Sequence, residues 1–210
     1  VSKRCEARVI GLGNVLWADE GFGVRAVEAL NERYTFAADV DLLDGGTLGL
    51  NLYEPVANAR RLLVLDAIDF GLAPGTLKVL RGDDVPAWGA TKLSPHQTGF
   101  NDILALVRIN GREPEMIVVV GVQPLVLDDF GGSLREPVKA KLAEAVELAA
   151  NELAAWGFPG TRREGSERAP ALNAQALDLA AYEAQRPSET DACRRGDARV
   201  LAQASRQRAE

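Results

Sequence analysis

The sequence predicts an α/β fold, a three-layer sandwich with a twisted, mostly parallel sheet and helices on both faces. Three observations predict it. Short, almost unbroken apolar runs recur, RVIGLG at 8–13, RLLVLD at 61–66 and MIVVVGV at 116–122, as expected of strands covered on both faces. Amphipathic stretches with helical spacing separate them. Glycines close the first two strands, at Gly11 and Gly13 and again at Gly45 and Gly46. Alternating strands and helices of this kind imply parallel strands joined by crossover helices.

The elements follow in order. After the first strand, Phe22 to Arg33 carries Phe22, Ala26, Val27, Ala29 and Leu30 at helical spacing, with Glu28, Glu32 and Arg33 outward. DVDLLD at 39–44 reads as the second strand, 49–58 as a short helix, and 61–66 as the third strand. GTLKVL at 75–80 alternates and reads as an outer strand, followed by a helix over 98–107 and the strand at 116–122. One long helix is predicted over 136–156, with Val138, Leu142, Val146, Ala149, Leu153 and Trp156 on one stripe. The character changes after Pro159: large apolar residues thin out, and Arg, Ala, Pro, Ser and Glu take over. The expected organisation is one domain over 1–159 and an Arg/Ala-rich tail over 160–210, mobile or poorly packed and not needed for activity. Within the tail a weak helix is predicted over 198–208.

Composition excludes several classes. The chain has 210 residues, 47% of them hydrophobic and 26% charged, the balance of a globular domain. Its formal net charge of −6 supplies no basic field for a nucleic acid backbone. Cys5 and Cys193 lack CxxC partners, so reduced thiols of a cytoplasmic protein are expected instead of disulfides or a zinc knuckle. No apolar run is long enough to insert in a membrane, and the opening VSKRCEARVIGLGN is too soon interrupted for a signal peptide.

In a parallel sheet, ligands bind beyond the carboxyl ends of the strands. The residues expected there include Asp19 and Glu20 after the first strand, and Asp66 at the end of the third. A later loop, Lys92 to Gly99, holds the sole histidine, His96. First and third strands of such sheets are commonly neighbours, so Glu20 and Asp66 can converge. His96 lies between the outer strand and a helix, and its loop can reach the same edge. Two carboxylates and an imidazole suit nickel, zinc, manganese or iron and leave positions open. Without a thiolate or a second imidazole the affinity is modest, which points to a metal shared with a substrate. Competing chemistries fit less well. The GxGxxG fingerprint fails at Leu16, and neither a Walker lysine motif nor a GxSxG elbow occurs. A single histidine rules out HExxH proteolysis. Acids sharing a proton, as in aspartic proteases, stay open for Asp19 or Glu20 with Asp66, although the DTG or DSG triplet is missing.

Taken together, GLGNVLWADEGFGVRAVEAL, LLDGGTLGLNL, LLVLDAIDFGLAPGT, KLSPHQTGFNDILAL and VVVGVQPL resemble the nickel–iron hydrogenase maturation proteases over roughly residues 8 to 158. The resemblance implies an α/β endopeptidase, a hydrolase that removes a C-terminal extension from the nickel-loaded large-subunit precursor of a hydrogenase. It implies that Glu20, Asp66 and His96 bind metal and carry catalysis, their individual roles unresolved. It also implies that the turn Asp44, Gly45, Gly46 and Thr47 contacts substrate. Nickel would be shared with the substrate and weakly held by the free enzyme. The family offers no obvious equivalent of the tail. A reading of another kind is a non-proteolytic nickel-sensing escort for the same hydrogenase.

Overall fold

The computed structural model describes residues 4–85, 95–164, 169–173 and 177–186, with no side-chain description at 83 and 95–98. In chain order the strands are β1 (Cys5–Leu12), β2 (Tyr34–Thr35), β3 (Val40–Gly46), β4 (Ala59–Ala67), β5 (Leu77–Arg81), β6 (Met116–Val122) and β7 (Thr161–Arg162). The helices are α1 (Phe22–Arg33), α2 (Tyr53–Ala57), α3 (Pro95–Ile109), α4 (Glu136–Lys139), α5 (Leu142–Ala155) and α6 (Leu179–Gln185).

Successive residues of the buried strands project to opposite faces, and this builds the layers. Val9, Leu63, Leu65, Val118 and Val120 meet Phe22, Ala26, Val27 and Leu30 of α1 and Val146, Ala149 and Leu153 of α5. Their neighbours Ile10, Leu62, Val64 and Val119 meet Leu52, Val56, Phe100, Ile103 and Val107 on the other face, from the segment around α2 and from α3. The five-stranded sheet runs β3-β1-β4-β6-β5. The first four are parallel, and β5 pairs antiparallel with β6 at the outer edge. This is the expected sandwich, with the expected neighbours: Ile10 of β1 stands opposite Val64 of β4.

Some elements differ from expectation. The region 49–58 divides into a 3₁₀ turn at Gly49–Leu52 and helix α2. The predicted helix at 98–107 begins earlier, at Pro95, so His96 lies in a first helical turn and not in a loop. The single helix predicted over 136–156 is two, α4 and α5. At the break the Lys141 N–H turns to Val138 O at 3.0 Å, a tighter i to i−3 bond that re-aims the chain. The bend lets Val138 and Val146 both bury.

After Pro159, the described residues 160–164, 169–173 and 177–186 carry polar ties to the domain. β7 pairs antiparallel with β2. Asn31 Nδ2 donates to Pro170 O at 2.7 Å, Lys139 Nζ pairs with Glu183 at 2.7 Å, and Tyr182 Oη donates to Gly132 O at 3.2 Å. Leu172 packs against the core, yet α6 buries none of its residues. Polar ties hold this strap, and apolar periodicity does not report them. The predicted helix at 198–208 and Cys193 lie outside the described residues.

Candidate functional site

β1 sits between β3 and β4, so the crossover after β1 leads one way along the sheet and the next leads back past it. The crevice of such a sheet opens beyond the carboxyl ends of the strands flanking that reversal. Here those are β1, which leads to Glu20, and β4, which ends at Asp66 and Ala67.

Glu20 is carried by a 3₁₀ turn, Ala18–Gly21, directly before α1. Two glycines press this turn and α1 onto the strand ends. Gly13 has φ 123, and a Cβ there would stand 1.8 Å from Glu20 O. A Cβ at Gly23 would stand 2.0 Å from Leu65 O and 2.4 Å from Leu12 O. Backbone therefore lies on backbone where α1 crosses β1 and β4, and Glu20 is held, half-buried, close to the end of β4. Asp66 follows Leu65 in that strand and is 0% exposed. The pleat turns Leu65 toward α1 and Asp66 toward the α2/α3 face. Asp66 Oδ1 accepts the Ala67 N–H at 2.8 Å.

The backbone of His96 reaches the same edge. α3 leads into the start of β6, at the amino edge of the sheet, so it must run antiparallel to β6. Its 15 residues span roughly 22 Å, about the length of a seven-residue strand. The first turn of α3 therefore lies at the carboxyl edge, on the face to which Asp66 points. The His96 side chain lies outside the described residues. Among the described residues no cluster of three metal-ligating side chains occurs. The donor chemistry suits a divalent transition ion: a buried carboxylate, a half-buried one, and a histidine whose backbone shares their edge.

Asp19 has a different task from the one left open for it. It is 0% exposed. Its Oδ2 accepts the N–H groups of Leu125 and Val126, both at 2.9 Å, and its Oδ1 accepts that of Arg135 at 2.6 Å. Both oxygens are committed to the loop after β6, which corrects the pairing of Asp19 with Asp66 as proton-sharing acids. This anchor holds a strained turn: Ala18 has φ 45, a region that side-chain-bearing residues seldom occupy. Trp17 closes the same loop by stacking edge-on against Phe130, ring centroids 5.4 Å apart.

The Asp44–Thr47 turn lies beside β1, with Gly13 N donating to Gly46 O at 3.0 Å. Gly45 is buried and Thr47 exposed. The Asp44 carboxylate is not brought to Asp66. The pleat aims it at the α1 face, where its Oδ2 accepts Asn173 Nδ2 at 3.1 Å. The same amide nitrogen donates to Glu28 Oε1. Burial pushes the Glu28 carboxyl above its ordinary 4.5, against the opposing pull of Arg25.

Sequence reasoning singled out neither Asn173 nor Gln123. Gln123, just past β6, receives the Phe70 and Leu72 N–H groups on Oε1 at 2.7 and 3.1 Å. Its Nε2 donates to Asp69 at 3.0 Å. That bond, with the Gly71 N–H, holds the Asp69 carboxyl below its usual range. Gln123 thereby fixes the loop that follows Asp66. A polar residue at the carboxyl end of a fully apolar strand is the signal that marks it.

Comparison with known proteins agrees with this architecture. The family model described as hydrogenase maturation protease matches residues 24–152. The hydrogenase expression/formation protein HupM of Azotobacter chroococcum is 54% identical over 95% of this chain and 95% of its own length. The hydrogenase 2 maturation protease of Escherichia coli is 41% identical over 74% of this chain and 95% of its own length. The solved structure of the hydrogenase maturating endopeptidase HybD from E. coli superposes with a TM-score of 0.72 at 40% identity. It covers 75% of this chain and 98% of that one. The HupM alignment runs well into the segment after Pro159, so relatives do carry that segment, contrary to the expectation from the family motifs.

Proposed function

Because the chain belongs to the hydrogenase maturation protease family and is an endopeptidase, we propose that it removes the C-terminal extension of a nickel–iron hydrogenase large-subunit precursor. The supporting observation is the backbone contact at Gly23, which sets the Glu20 turn on β4 beside Asp66, at the edge where α3 begins with His96. Glu20, Asp66 and His96 come from three separate elements that begin or end at this edge. Nickel would enter as part of the substrate, and Glu20, Asp66 and His96 are the residues that would hold it. Held there, nickel would supply Lewis-acid polarisation of the scissile carbonyl.

The chain's own residues do the rest. Asp66, sealed in the sheet edge, offers a fixed acceptor. Glu20, half-open to solvent, is the carboxylate able to take a proton from an attacking water. The loop fixed by Gln123 and the loop pinned by Asp19 wall the crevice, while the Asp44–Thr47 turn borders the path of the peptide. No described helix is long and apolar enough to cross a membrane. We propose the cytoplasm as the place of the reaction, where thiols such as Cys5 remain reduced.

The test is processing of purified nickel-loaded precursor, followed by mass spectrometry. The wild-type enzyme is expected to shorten the large subunit. His96→Ala and Asp66→Asn should keep the native circular dichroism spectrum and stop cleavage. Normal cleavage kinetics in either variant would refute the assignment. An intact precursor beside bound wild-type protein would favour an escort.

A further inference from the structure

We propose that Asn173 is a positioning residue for substrate recognition, tying the Asp44–Thr47 turn to helix α1. The inference rests on the reading above for the substrate, and on the geometry alone for the tie.

One amide nitrogen carries two hydrogens, and here it has two acceptors, Asp44 Oδ2 at 3.1 Å and Glu28 Oε1. Those acceptors are like-charged carboxylates on different elements, β3 and α1. Arg25 offsets part of their mutual repulsion through its 3.0 Å pair with Glu28, and the Asn173 amide bonds to both carboxylates. Both are charge-assisted hydrogen bonds. The amide is itself held. Asn31 of α1 donates to Pro170 O on one side of it. Arg25, 3% exposed, donates to Leu177 O on the other and lies 5.6 Å from the Tyr182 ring centroid. Between strap and α1 is a cavity of ≈ 720 Å³ whose walls include Glu28 and Asn173. The strap thus arches over α1, and a few polar ties fix its height above the Asp44 turn.

The segment also separates the relatives. HupM is matched along nearly the whole of this chain. The E. coli protease is matched along nearly its own length, over a share that the residues before Pro159 can supply. The strap is therefore a place where relatives of different length can differ in precursor choice.

The experiment uses full-length enzyme with Asn173→Ala and Asn173→Asp, read two ways. Amide hydrogen exchange of residues 45–48 is measured without substrate, and cleavage kinetics with nickel-loaded precursor. Asn173→Ala is expected to speed exchange at the turn and to raise KM roughly tenfold, the scale of one hydrogen bond to a charged group, with kcat within about twofold. Asn173→Asp, which adds a third carboxylate, should do more of both. If it fails to fold, the alanine variant decides. Unchanged exchange at 45–48 overturns the tie. Faster exchange with an unchanged KM, or a loss confined to kcat, overturns the recognition role. A wild-type enzyme that leaves the precursor whole overturns the functional reading and the recognition role with it, while the exchange result still decides whether Asn173 holds the turn.

Discussion

Asp19 and Glu20 are adjacent acids on one short turn, one sealed against three backbone N–H groups and the other half-open. The difference gives a prediction. Asp19→Ala removes the acceptor of three part-buried backbone N–H groups and should cost about 1–3 kcal/mol, read as a lower urea midpoint. Glu20→Ala should change stability by less than about 1 kcal/mol while stopping cleavage. A second residue-scale prediction concerns Glu28, whose carboxyl is raised above 4.5 by burial. The folded state then binds more protons than the unfolded one, so this group lowers stability as pH rises from the ordinary carboxylate range through the raised value. Glu28→Gln should remove that part of the decline. Melting temperatures measured upward in pH from the ordinary carboxylate range would show the wild-type and variant curves separating as pH increases, with parallel curves contradicting it. The candidate acids were legible in the sequence, because each follows a strand end. Which member of the Asp-Glu pair faces solvent was not, since the loop that claims Asp19 begins more than a hundred residues later.

The contact of α1 with β4 sets the site. Gly23→Ala would place a methyl 2.0 Å from Leu65 O, and neither partner is a flexible side chain. We expect a loss of about 1–3 kcal/mol and, because Glu20 moves with the helix, at least a tenfold loss in kcat, the order expected for misplacement by roughly 1 Å. A variant with wild-type cleavage would show that the packing does not position Glu20. Elements with strong periodicity were legible: the helix Phe22–Arg33 and the strand Met116–Val122 match expectation to the residue. The failures have physical reasons. β2 and β7 have two residues each, too few to show a period. The break between α4 and α5 falls at Ala140 and Lys141, good helix formers, so only packing against the core reveals it. The start of α3 was legible in principle, since proline is favoured in the first turn of a helix.

At the scale of the whole molecule, the glycines explain why the first loop echoes a dinucleotide fingerprint without being one. Gly11, Gly13 and Gly23 bring backbone against backbone, α1 over β1 and β4, where a nucleotide-binding fold would lay a pyrophosphate. The same doubly wound layout carries acidic residues, Glu20 and Asp66, toward its carboxyl edge instead. Its layers could be read from apolar runs, because burial on both faces leaves that pattern in any parallel sheet. The strap after Pro159 could not, because Asn31, Lys139, Asn173 and Glu183 hold it through polar bonds that carry no period. Convergence of Glu20, Asp66 and His96 on one rim is the claim from which the function follows. The most direct measurement is an anomalous difference map at the nickel edge from crystals of the enzyme soaked in Ni²⁺. The account predicts one principal peak within coordination distance of the Glu20 and Asp66 carboxylates and the His96 imidazole. A map with no peak there, or with the imidazole turned away from both carboxylates, would contradict it.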